Sequence, residues 1–158
     1  MAKARDIPGL AADLPFREAA ALAVSTRADE LWEHEHRVMD TSDIEGVHDM
    51  RVATRRLRAA MEIFGPCFPK KRHRKALSEV KALADLLGTR RDPDVMIERL
   101  RAIEAGLTQE DAPGIESLRD ELRAGQEAAN RRLSEGLARV REERLPERLK
   151  LLAAEVRA

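Results

Sequence analysis

The chain has 158 residues and a mass of 17.8 kDa, with 43% hydrophobic and 37% charged residues but only 3% aromatic and no tyrosine. That composition excludes a disordered or collagen-like chain and argues against most all-β folds, whose strands draw on aromatic and β-branched residues. Its 29 Lys and Arg balance 29 Asp and Glu, so any attraction for an anion must be local, and its one cysteine, Cys67, rules out an intramolecular disulfide. Met1–Asp6 carries no apolar signal core and no long apolar run follows. The expectation is therefore a soluble cytoplasmic protein with no membrane partner.

A first helix is predicted from about Phe16 to Met39, with Asp13 as its cap, Pro15 in its first turn, and Phe16, Ala20, Ala23, Leu31 and Val38 at helical spacing. Thr41, Ser42 and Asp43 end it and offer caps for a second helix from about Glu45 to Phe64. Gly65-Pro66-Cys67-Phe68-Pro69 stops that helix. A third is predicted from Lys70 to Leu87, ending at Gly88, and Asp92-Pro93-Asp94 then reads as cap, first-turn proline and dipole-matching acid for a fourth that reaches Glu104. After Ala112-Pro113-Gly114, a fifth helix from about Ile115 to Val140 keeps Ile115, Leu118, Leu122, Ala129, Leu133, Leu137 and Val140 on one side. Its Gly125 and Gly136 are expected to let another backbone approach. A sixth carries Leu145, Leu149, Leu152 and Val156. The prediction is an all-α antiparallel bundle of about six helices in one domain, residues 1–158. A four-helix core unit spans 16–104 and a C-terminal arm 113–158.

Charge is unevenly spread. From His48 to Arg91 there are twelve Lys and Arg against four Asp and Glu, a local surplus of eight that the rest of the chain cancels. With His48 at zero on a helical wheel, Met50, Ala53, Leu57, Ala60, Met61 and Phe64 fall at about 120–220°, the buried face. His48, Arg51, Arg55, Arg58 and Glu62 fall at about 280–360°, so an imidazole and three guanidinia form a stripe away from the core. Arg56 lies off it. Like charges one turn apart repel by a few tenths of a kcal/mol, so a stripe offset by a single acid asks for an anion. The third helix repeats the pattern: Lys70, Arg74 and Lys81 cluster within about 40° while Val80, Leu83, Ala84 and Leu87 face the core. If the two helices pack antiparallel, their stripes flank a groove suited to repeated phosphates. Arg90 and Arg91 add two guanidinia beside the predicted start of the fourth helix, whose free N–H groups also favour anions. Asp92 is read as a cap.

Two stretches carry a family resemblance. Val47-His48-Asp49-Met50-Arg51-Val52-Ala53-Thr54-Arg55-Arg56-Leu57-Arg58 resembles the V-H-x-x-R-V-x-x-R-R-L-R signature of the CHAD (conserved histidine α-helical) domain, and Leu87-Gly88-Thr89-Arg90-Arg91-Asp92-Pro93-Asp94-Val95 is similar to its L-G-x-x-R-D-x-D-V segment. The resemblance implies a helical module that binds inorganic polyphosphate through a basic groove, is found at polyphosphate granules, and is often fused to a CYTH triphosphatase domain. Carried onto this chain, it assigns His48, Arg51, Arg55, Arg56, Arg58, Arg90 and Arg91 to the ligand, and the stripe argument adds Arg74 and Lys81. The usual family domain has two similar halves, whereas this chain holds one copy of the signature. A homodimer that restores the two-fold arrangement is favoured over a self-sufficient single copy, with the long fifth helix as its interface.

Other chemistries fit less well. Single-stranded nucleic acid is bound by stacking on aromatics, and Trp32, Phe16, Phe64 and Phe68 do not interleave with the stripe, so no specific nucleic-acid partner is expected, although non-specific duplex binding stays open. Glu33-His34-Glu35-His36-Arg37 has the E-x-E-x-R look of a triphosphatase or metal segment, but on a helix His34 and His36 point about 200° apart, and a solvated helix end is expected. Cys67 reads as a small apolar plug beside Phe64 and Phe68 rather than a nucleophile. A metal-dependent hydrolase would need carboxylates near the groove, where only Glu62 and Asp85 are candidates. The expectation is therefore a non-enzymatic binding module with no cofactor and no metal site, the alternative being a structural or protein-recruiting bundle whose stripe is paired internally. Protonation of His48 beside phosphates should strengthen binding in mild acid.

Overall fold

In the computed structural model, residues 4–106, 108 and 112–156 are described. Five α-helices follow one another: α1 (Phe16–Glu33), α2 (Ile44–Ile63), α3 (Lys70–Glu104), α4 (Ala112–Glu142) and α5 (Leu145–Glu155), and among the described residues there is no strand. Short 3₁₀ turns, Glu35–Arg37 and Gly65–Cys67, lie in the α1–α2 and α2–α3 connections.

Helix α1 begins directly after Pro15, whose carbonyl accepts the amide of Ala19 at 3.0 Å. No side chain caps it, so Asp13 does not take the predicted role. Its inward face is built of small residues, Ala20, Ala21, Val24 and Ala28, which lets neighbouring helices come close. The helix ends six residues short of the predicted Met39, and the chain tightens into the 3₁₀ turn before Asp43 caps α2 by accepting the amide of Gly46 at 3.1 Å. Gly46 is required there, because a Cβ would stand 2.7 Å from the Arg37 carbonyl oxygen. Gly46→Ala should lower stability by about 1–3 kcal/mol, readable as a drop in the thermal midpoint with the helical circular-dichroism spectrum unchanged.

Helix α2 lies between α1 and α3 and is buried on more of its circumference than a two-layer arrangement needs. Met50, Ala53, Leu57 and Met61 are fully buried as predicted, Ala60 and Phe64 partly, and Val47, Val52 and Thr54 join them. Glu30 of α1 is buried beside α2, and Arg27 and Arg56 hold its carboxylate at 2.7 and 2.6 Å. Burial pushes Glu30 up, but hydrogen bonds and charge from the two guanidinia outweigh it and leave the group below its ordinary value.

The largest departure from expectation is α3. Two helices were predicted, broken at Gly88 and restarted at Asp92-Pro93, yet a single helix of 35 residues, about 52 Å long, runs through both. Pro93 withholds one backbone donor, which costs up to about 3 kcal/mol in a helix interior. The side chains that flank Pro93 are held by α4. Asp94, one turn beyond Arg90, is bound to it inside the α3–α4 interface, and Gln126 and Asn130 of α4 complete the network. Asp92 is exposed in mid-helix and caps nothing.

Helices α3 and α4 run antiparallel, as the Arg90–Asn130 and Glu104–Arg119 contacts require. Gly136 of α4 faces the Leu86 side chain of α3, and a Cβ there would force that side chain to shift. Gly125, for which the same role was expected, has nothing within 4 Å. The second half of α4 supplies Ala129, Leu133, Leu137 and Val140 to the core, whereas Leu118 near its start is 42% exposed because only the outer end of α3 lies beside it. Arg144, in the left-handed region at φ 56°, turns the chain into α5. Leu145, Leu149, Leu152 and Val156 of α5 belong to the same continuous cluster as Leu31, Met50, Leu57, Val80 and Leu87, so the C-terminal helices share one core with the first three.

Candidate functional site

The antiparallel packing of α2 and α3 sets their outward faces side by side. His73 near the start of α3 meets the Met61 carbonyl near the end of α2 at 2.8 Å, and Arg91 of α3 donates to the Ile44 carbonyl at the start of α2 at 3.2 Å. Between these ends the Arg51 Nε lies 4.0 Å from the space above Gly88, and Lys81 Nζ reaches the Glu62 carboxylate at 2.9 Å. Arg51, Arg55 and Arg58 of α2 and Lys81 of α3 thus stand on the outer faces of two adjacent helices, where the basic groove was predicted.

The side chains differ in what already holds them. Arg51, Arg55 and Arg74 are exposed, and among the described residues no carboxylate stands within ion-pairing distance of any of them. Arg58 Nε is 3.9 Å from Glu62 Oε1, the same oxygen that Lys81 binds. The Lys81 hydrogen bond, then the charges of Lys81 and Arg58, keep the exposed Glu62 carboxyl below its ordinary value. His48 is half-buried at the Ile44 end of the groove, near Arg91, which has one N–H committed to backbone. Arg74 lies further along α3 beside an open cleft of about 650 Å³ lined also by Lys70, Lys71, Lys75, Ser78 and Glu79, the last of which pairs with Lys75.

Two expected ligand residues do not face the groove. Arg90 has no exposed surface: its guanidinium is locked against Asp94 and Asn130 between α3 and α4, and it must be removed from the predicted set. One nitrogen of Arg90 and one oxygen of Asp94 in that pair have no hydrogen-bond partner. Arg56 points instead toward α1, where it balances the buried Glu30. Helical geometry explains both, since Arg56 and Arg90 sit about 100° from the outward-facing Arg55 and Arg91. Lys70, which the predicted stripe included, and Lys71, which it did not, also line the cleft beside Arg74. Five of the first six residues of α3 are basic, at a helix end that normally favours acids, and that inversion was visible in the sequence.

In the Glu33–Arg37 segment, Glu33 pairs with Arg5 and Glu35 with Arg141. Among the described residues, donor atoms with metal-ligand spacing are gathered instead by Glu45, His48 and Asp49, all within 4.8 Å of one another on the first turns of α2. Asp49 also faces Arg37 at 3.5 Å. Cys67 is a half-buried free thiol packed against the core.

The fold is an all-α bundle in which Arg51 and Arg55 of α2 and Arg74 of α3 are exposed with no ion-pair partner among the described residues. The CHAD domain family model matches residues 22–158, nearly the whole chain, and the chain belongs to that family. No curated protein and no solved structure matches it. Among the described residues no helix is long and apolar enough to cross a membrane.

Proposed function

We propose that the α2–α3 groove binds inorganic polyphosphate, with Arg51, Arg55, Arg58, Lys81 and Arg91 along the groove, His48 at its end, and Arg74 with Lys70 and Lys71 extending it along α3. The observation that carries this reading is that three of these arginines have no carboxylate paired with them. Acids and bases are equal in number in the chain, yet Arg51, Arg55 and Arg74 stand exposed with no acid placed against them among the described residues. A bundle using its arginines only for internal pairing would treat them as it treats Arg56 and Arg90. Guanidinia one turn apart can each bridge two oxygens of a flexible chain without fixed register. The groove offers no aromatic platform for bases.

The groove is proposed to bind without hydrolysis, as a module that locates the protein on polyphosphate granules. Two chains are proposed to pair through the outer ends of α3 and α4, where Met96, Ile103 and Leu118 expose 47%, 56% and 42% of their surfaces. Calorimetric titration with long-chain polyphosphate and with duplex DNA of equal phosphate content tests the reading. Polyphosphate should bind more tightly than DNA, more tightly at pH 5.5 than at pH 8, and about tenfold or more weaker at 200 than at 50 mM salt. Equal affinity for both polymers would reduce the site to a general polyanion groove, and binding of neither would assign the bundle a scaffolding role.

A further inference from the structure

We propose that the Glu62 carboxylate occupies an anion subsite of the groove, standing where a ligand phosphate oxygen sits in the bound state, so that a ligand must displace it from Lys81 and Arg58. This rests on the polyphosphate reading and specifies how that site selects its ligand.

One oxygen, Glu62 Oε1, is shared by two cations from different helices: Lys81 Nζ of α3 at 2.9 Å and Arg58 Nε of α2 at 3.9 Å. Lys81 and Arg58 are thus already arranged around a single oxyanion. The arrangement has little structural purpose. The side chains of Glu62, Lys81 and Arg58 retain 45%, 48% and 42% of their exposure, and ion pairs so open to water contribute little to stability. Further along α2, Arg51 and Arg55 have no such internal anion among the described residues.

The groove therefore has an open half and an occupied half. A chain of phosphates first meets Arg51 and Arg55, and its next charges compete with Glu62 for Arg58 and Lys81. The carboxylate carries one charge on a tethered side chain, so a polymer with a charge on every repeating unit displaces it more readily than an isolated or widely spaced anion. Glu62 is in this sense a specificity residue for linear charge density.

Glu62→Gln keeps the size of the side chain and removes the competing charge. At 50 mM salt the variant should bind long-chain polyphosphate about five- to tenfold more tightly than the unmodified protein, and inorganic phosphate with a larger gain, so its preference for the polymer narrows. Lys81→Gln should weaken binding in both backgrounds, by about fivefold in the Glu62→Gln background, where no internal carboxylate competes for Lys81, and by less in the unmodified protein. Unchanged or weaker binding by a folded Glu62→Gln variant would overturn the inference while leaving the polyphosphate reading intact. If neither protein binds polyphosphate, both fall.

Discussion

Replacing Asp94 by Leu alone should destabilise the bundle by about 3–5 kcal/mol, measured by urea or thermal unfolding, because it strands the Arg90 guanidinium in an interface with no exposed surface. Removing both charges, with Arg90→Met and Asp94→Leu together, should recover most of that loss. A buried ion pair gains little over well-packed apolar side chains of similar size, and here two polar atoms of the pair have no partner. Gln126 and Asn130 are only partly buried, so water can replace the contacts they lose. The double variant should also bind polyphosphate within about twofold of the unmodified protein, since Arg90 does not reach the groove. A single variant as stable as the parent would contradict the burial of the pair, and a double variant that folds but has lost the ligand would return Arg90 to the site.

Charge reversal on the outer face of α2 should have the opposite signature. Arg55→Glu with Arg58→Glu should reduce polyphosphate affinity about a hundredfold or more and flatten its salt dependence, because two contacts become repulsions. Helix content and unfolding midpoint should hardly move: Arg55 is exposed, and the only ion pair Arg58 makes among the described residues is a long one to Glu62. Affinity retained by the folded double variant would remove the stripe from the mechanism. Together the two experiments separate arginines that hold the bundle from arginines that face a ligand.

That separation marks how far the sequence could be read. Helix α2 was legible because its apolar and basic residues each keep helical period, so Met50, Leu57 and Met61 went inward and Arg51 and Arg55 outward as expected. Adjacent arginines resist the same treatment. Arg90 and Arg91 lie side by side in the chain, and which of them is buried depends on Asn130 and Gln126 forty and more than thirty residues away. The break expected at Asp92-Pro93 failed for the same reason. Locally those residues are a sound helix start, but α4 lays polar partners against Asp94 and keeps the turn helical. The shortened α1 has a local cause in its 3₁₀ ending, for which Glu35–Arg37 gives no turn-forming glycine or proline as warning.

The way α5 closes the bundle bears on how the chain folds. The α1–α2, α2–α3 and α3–α4 pairs are hairpins between successive helices and can form early, since joining neighbours along the chain restricts few conformations. Arg72 meets Glu155 across 83 residues, and Arg141 meets Glu35 across 106. These contacts join the beginning and end of the domain and carry most of its loop-closure entropy. The docking of α5 onto α1 and α3 is thus the step that turns a string of local hairpins into a single cooperative unit, because only then have the two ends of the domain met.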